Sequence, residues 1–262
     1  MTDGQTASRV REVRLAGVGP GNLLDEPAVL AFLSDLQEAN QDDTVVSIVI
    51  RGGEQHFSQG WHQERLADLG VDRLRSRLAL LHRQLVPAIW HSEKFVIAAV
   101  TGDALGLACE VAALADVTIA RTGVRMGHPE FRSGLMFPTV WPWLVGAKVA
   151  KLYLATGRVL AGPALQETGL VNEVVGESDF EPAIEALVAD LAGMPAGTVA
   201  ANKRRIGWAW RDISRALYDD TFYQVDEGWL IESRDIDYNF YREVSKKGVK
   251  GAIAQRDQGF SG

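Results

Sequence analysis

The chain has 262 residues, 47% of them hydrophobic and 23% charged, enough to bury one full-sized core. A net charge of −7 argues against a nucleic-acid binder, which needs a basic face to displace counterions. Its one cysteine, Cys109, excludes an intrachain disulfide and any zinc site built on several cysteines.

The N-terminal stretch MTDGQTASRVREVRLAG lacks the apolar run of a secretory signal, and no segment reads as a membrane span, so a soluble, cytoplasmic protein is expected. Glu12 to Ala16 alternates as a first strand and runs into the turn GVGPGN. Glu26 to Asn40 has helical spacing. Val45 to Ile50 reads as a buried strand stopped by Arg51-Gly52-Gly53, and a long helical region is expected from about residue 63 to 90. Phe95 to Val100 is a continuous apolar strand, as in a sheet covered on both faces. A glycine turn, a short helix and the strand Val117 to Ala120 follow. Helical patterns over 146–168 are separated by Thr156-Gly157-Arg158, Leu170 to Val175 reads as the last strand, and helices fill the chain beyond about residue 180. This order predicts an α/β core over 1–195 and a helical region over 196–262.

Two acids stand out against that background. Between Phe95 and Ala120 the only charges are Asp103, Glu110 and Asp116, and Glu130 ends the segment Arg125-Met126-Gly127-His128-Pro129-Glu130. A carboxylate taken into apolar surroundings loses hydration, so its pKa rises and it can exchange protons near neutral pH. If the fold brings Glu110 and Glu130 together they form an acid/base pair. Either could instead be a structural carboxylate, ion-paired to Arg125 or Arg132.

Three segments carry a resemblance. VVSIVIRGGEQHFSQGWHQE is similar to a strand followed by RG and an F-S-A-G-x-D loop. IAAVTGDALGLACEVAALADVTIA is similar to a glycine-rich turn leading into G-G-G-x-E-L-A. MGHPEFRSGLMFPTVWPWLVGAKVAKLYLATGRVLAGPALQETGLVNEVV is similar to F-G-x-P-E with the glycine and alanine positions after it. In this order and spacing, over roughly residues 45–176, the chain resembles the crotonase (enoyl-CoA hydratase/isomerase) family.

The resemblance implies an α/β spiral of repeated β-β-α turns with a helical C-terminal trimerisation region, assembled as a homotrimer or homohexamer. It implies an acyl-CoA substrate, with coenzyme A as part of that substrate, no separate cofactor or metal, and neither nucleic-acid nor membrane partners. By motif position the backbone N–H groups of Trp61 and Leu107 would form an oxyanion hole, each after a glycine that lets the chain turn closely. Glu110 and Glu130 would be the catalytic acids, and His62, His128, Phe137 and Trp141 candidate pocket residues. Keeping both glutamates favours adding or removing water at a 2,3-double bond. Double-bond isomerisation, cleavage of a 1,3-diketone with help from a histidine, and a non-catalytic scaffold are the alternatives.

The chain also departs from the pattern. Gln59 replaces the usual alanine, His62 the usual acid, and the glycine triplet reads Gly106-Leu107-Ala108. FPTVWPWLVG stands where a glycine-rich stretch is usual. With Trp61, Phe137, Trp141 and Trp143 near the expected pocket, a bulky or cyclic acyl group is expected. Of the N-terminal motif that lines the adenine and pantetheine path, only Asn22-Leu23 matches.

Overall fold

A computed structural model describes residues 9–68, 71–134, 139–209 and 240–258. Five strands form a parallel sheet in the order β1 (Val10–Arg14), β2 (Ser47–Arg51), β3 (Phe95–Val100), β5 (Val117–Arg121), β8 (Glu173–Val175). A second sheet of three short strands contains β4 (Ala104–Leu105), β6 (Arg125–Gly127) and β7 (Val159–Ala161), with β4 parallel and β7 antiparallel to β6.

The central strand β3 shows why its sequence is apolar throughout. Val96, Ala98 and Val100 enter the larger core with Phe32 and Leu36 from the helix Glu26–Gln41 and Leu85 and Ile89 from the helix Val71–Trp90. Ile97 and Ala99 face the other way, joining Val49, Ile119 and the buried Phe180, Ile184 and Leu191 of the helix Glu177–Gly193. Side chains alternate across a strand, so a strand covered on both faces must be hydrophobic at every position. The helix Glu26–Gln41 buries Val29, Phe32, Leu36 and Ala39 on one face, and the Asp25 carboxylate accepts from the Ala28 N–H at 2.9 Å to cap its first turn.

Several boundaries differ from the sequence-based expectation. The first strand begins at Val10 rather than Glu12, the last covers only Glu173–Val175, and the 63–90 region is two helices, Gln63–Asp68 and Val71–Trp90. Strand β7 separates the helices Ala147–Thr156 and Ala164–Glu167, where only a break was expected. Strands of two or three residues carry no periodicity to detect; their backbone partners define them. The helices Ala196–Ala209 and Phe240–Asp257 lie in the expected helical region, and residues 210–239 and 259–262 fall outside the described residues. Among the described residues no single helix is long and apolar enough to cross a membrane.

Candidate active site

The site is built where the short sheet meets the helix Leu107–Leu114. Strand β4 pairs with β6, setting Leu105 opposite Gly127, and the Gly106 N–H donates to the Gly127 carbonyl at 2.8 Å. The chain after β6 therefore leaves beside the N-terminus of the helix. His128 then precedes a 3₁₀ turn, Pro129–Ser133, which carries Glu130. A Cβ added to Gly106 would stand 3.0–3.1 Å from the Glu130 carboxyl atoms, so that carboxyl group packs directly on the turn before Leu107.

A second segment runs alongside. Ser58 and Ala104 form a parallel bridge, with Ser58 N–H donating to Asp103 O and Leu105 N–H to Ser58 O, both at 2.9 Å. Three residues beyond that bridge in each segment come Trp61 and Leu107. Among the described residues neither of their N–H groups donates to a protein acceptor. Leu107 is the first residue of its helix, and Gly106 before it provides no side-chain cap. An amide at that place has no intrahelical acceptor. Gly60 (φ 92°) and Gly106 (φ 59°) both occupy backbone conformations that favour glycine.

Glu110 lies one turn into the same helix and is fully buried. Its carboxylate accepts from the Thr139 hydroxyl at 2.7 Å and from the Val140 N–H at 3.0 Å. Between the two glutamates stands His128, with no solvent exposure at its side chain. Its Nδ1 is 3.2 Å from Glu130 Oε1 and its Nε2 is 3.8 Å from Glu110 Oε2. The imidazole thus joins the two acids in one buried row.

Burial raises the Glu110 pKa, opposed by His128 and by the Thr139 and Val140 hydrogen bonds. Burial also disfavours a charged His128, but the neighbouring Cys109 and then Glu130 outweigh it, holding the imidazole well above its ordinary value. Burial pushes the Cys109 thiol up as well, so near neutral pH Cys109 is an uncharged thiol. The charged neighbour in contact with the imidazolium is then Glu130, 3.2 Å from Nδ1.

The remaining expected residues divide. Trp141 is fully buried, with its ring edge-on to His128 at 5.4 Å between centroids. His62 is drawn elsewhere: its N–H donates to Leu24 O and its Nδ1 lies 3.2 Å from Glu64 Oε2. Trp143, expected near the pocket, is 36% exposed. Phe137 lies outside the described residues. Neither arginine named as a structural partner pairs with Glu130, since Arg125 binds Asp103 and Arg132 donates to Thr156 O. Thr139 and Val140, which hold Glu110, carried no signal in the sequence, because they lie 29 and 30 positions away from it.

The Gly106 contact predicts a mutational outcome. Gly106 sits at φ 59°, ψ −128°, where a side chain adds about 1–3 kcal/mol of strain. Gly106→Ala would also push the Glu130 carboxylate aside. The variant is expected to melt a few degrees lower and, because displacement of about 1 Å can cost ~100-fold in rate, to lose turnover about a hundredfold. Parallel melting and activity measurements check both effects; unchanged turnover would disprove the packing argument.

Residues 5–214 match the family model described as enoyl-CoA hydratase/isomerase. A probable enoyl-CoA hydratase of Bacillus subtilis is 27% identical over 250 residues, covering 93% of this chain and 92% of that protein. A 4-chlorobenzoyl coenzyme A dehalogenase of an Arthrobacter species is 28% identical over 215 residues, covering 78% and 75%. The crystal structure of an enoyl-CoA hydratase/isomerase from Xanthobacter autotrophicus Py2 superposes with a TM-score of 0.84 at 26% identity, covering 96% of this chain and 95% of that one.

Proposed function

Because this chain belongs to the enoyl-CoA hydratase/isomerase family and has the crotonase fold, we propose that it adds water to, or removes it from, the 2,3-double bond of an acyl-CoA thioester. The observation that carries this reading is the buried row Glu110–His128–Glu130, set against Gly106 just before the Leu107 amide, while Gly60, just before the Trp61 amide, lies against the Leu105 carbonyl.

In this reading the thioester oxygen accepts from the Trp61 and Leu107 N–H groups. Negative charge grows on that oxygen as water attacks C3, so donors fixed in advance lower the barrier; removing one such donor typically costs ~3–4 kcal/mol. Glu110 and Glu130 together take one proton from the attacking water and deliver one to C2. The oxygen bound at C3 and the hydrogen at C2 account for one water. His128 links the carboxylates and offsets part of their charge, so that two acids can share a buried site. The chemistry draws on these groups and on the substrate's own coenzyme A, with no further cofactor. A bulky or cyclic acyl group is part of this proposal; Trp141 itself is fully buried and packs against His128. Assembly as a trimer or hexamer belongs to the same proposal and is read directly by light scattering.

The test is loss of the conjugated enoyl-thioester absorbance on mixing with the protein, run in heavy-oxygen water. Hydration places one labelled oxygen in the product. Double-bond isomerisation places none, and that result would replace the hydratase reading. A histidine held between two acids favours one further reading, hydrolytic cleavage between the carbonyls of a 1,3-diketone. Turnover of such a diketone with no activity toward enoyl thioesters would select it.

A further inference from the structure

The oxyanion-site amides follow two loops whose backbones are punctuated by glycines at positive φ: Gly60 (92°) before Trp61, and Gly102 and Gly106 (both 59°) before Leu107. Such loops do not hold a fixed geometry by local preference, yet two donors must keep about 2.7–3.1 Å from one oxygen to be effective. Something outside the loops has to pin them together.

We propose that Asp103 is the positioning residue of this carbonyl site, its carboxylate tying together the three segments that carry Trp61, Leu107 and the His128–Glu130 pair. Asp103 lies four residues before Leu107 and is 3% exposed. Its Oδ2 accepts from Gln59 Nε2 at 3.0 Å, two residues before Trp61. Arg125, three residues before His128, closes a two-bond fork on it, Nε to Oδ1 at 2.8 Å and Nη2 to Oδ2 at 2.7 Å. His56 completes the cluster, with Nδ1 3.6 Å from Oδ2 and accepting the Asp103 N–H at 3.2 Å.

The main chain is tied at the same place, by Ser58 N–H to Asp103 O at 2.9 Å and Gln59 N–H to Gly21 O at 2.9 Å. Fork pairing of a guanidinium with a carboxylate fixes orientation as well as distance, which a lone ion pair on a surface does not. The Arg125 hydrogen bonds also hold the Asp103 carboxyl below its ordinary value, so the link persists through neutral pH. Gln59 is one of the departures noted above. An alanine there has no amide to reach Asp103, so this device belongs to this chain's own residues.

The inference rests on the reading of Trp61 and Leu107 as carbonyl ligands, and one experiment separates the two. The full-length protein is mixed with a cinnamoyl-type coenzyme A thioester, whose absorbance moves to longer wavelength when its carbonyl is polarised. The wild type is expected to shift the band. Asp103→Asn and Gln59→Ala are each expected to lose more than about half of that shift and to lower kcat ten- to a hundredfold, with KM changed less than about threefold. The double variant is expected to lose little more than Asp103→Asn alone, since both changes cut one network.

Gln59 is exposed, so its variant carries the test even if Asp103→Asn fails to fold. Variants that melt earlier but keep the full shift and kcat would reduce Asp103 to a structural ion pair and overturn the inference. A wild-type protein that binds the thioester without any shift would overturn the carbonyl-site reading itself, and the role of Asp103 with it.

Discussion

Glu110→Gln is expected to cut turnover of the enoyl thioester about a thousandfold, within the range of positioned acid/base groups, while leaving the fold intact. The replacement is close in shape. Its amide oxygen can keep the 3.0 Å bond from the Val140 N–H, and its NH₂ can donate to the Thr139 hydroxyl, which now accepts. What disappears is the ability to exchange a proton.

The same substitution is expected to raise the melting temperature at neutral pH. The Glu110 pKa is raised in the folded state, mainly by burial, above its unfolded value. Such a group contributes stability below the ordinary carboxylate range and loses it as pH rises through the raised value. Above the ordinary carboxylate range the folded state therefore holds this carboxyl at a cost, by keeping its proton or by burying its charge, and a neutral amide relieves it. Thermal melts at pH 5 and pH 8 check the sign, because the gain should be larger at the higher pH. Wild-type turnover in this variant would sink the acid/base role of Glu110 outright.

His128→Leu should produce the largest stability loss. It removes the group that lies 3.2 and 3.8 Å from the two buried acids and leaves them without that partner, a class of change that costs about 3–5 kcal/mol. The pH dependence follows from the direction of the shift. The folded-state pKa of His128 lies well above 6.5, so its stabilisation is complete below about pH 6.5 and fades as pH rises through the raised folded value. Urea denaturation of both proteins from pH 6 to pH 10 should show the gap narrowing at the alkaline end. A gap of constant size across that range would mean that His128 acts by packing alone, through its ring contacts with Phe131 and Trp141.

The two variants differ in what they separate. Glu110→Gln divides activity from stability, which should move in opposite directions, as they do where a site keeps an unfavourable buried charge for its chemistry. His128→Leu should lower both. The contrast is informative because the two side chains are 3.8 Å apart at their nearest charged atoms and share one pocket.

Much of this was legible in the linear chain. FVIAAV declares a strand buried on both faces because no position in it tolerates water, and the structure gives its alternate residues to separate cores. Glu110 stands out because LACEVAAL is otherwise apolar, and all eight residues of that helix are buried. Gly60 and Gly106 are visible as places where the chain must turn closely, and both have positive φ. These are local properties, carried by residue type and spacing over one or two turns of chain.

The partners were not legible. Arg125 is five residues from Glu130, yet its guanidinium binds Asp103, 22 residues away, while Glu130 takes His128. His62 follows Trp61 directly and still turns to Glu64. The amino-acid order alone determined which residues are able to do this chemistry and which stretches must be buried, since both follow from side-chain polarity and short-range backbone preference. Which carboxylate meets which cation, and that the segments leading to Trp61 and Leu107 run side by side, was decided only by the pairing of β4 with β6 and of Ser58 with Ala104. Those pairings are made by backbone groups that every residue carries, so no side-chain pattern announces them.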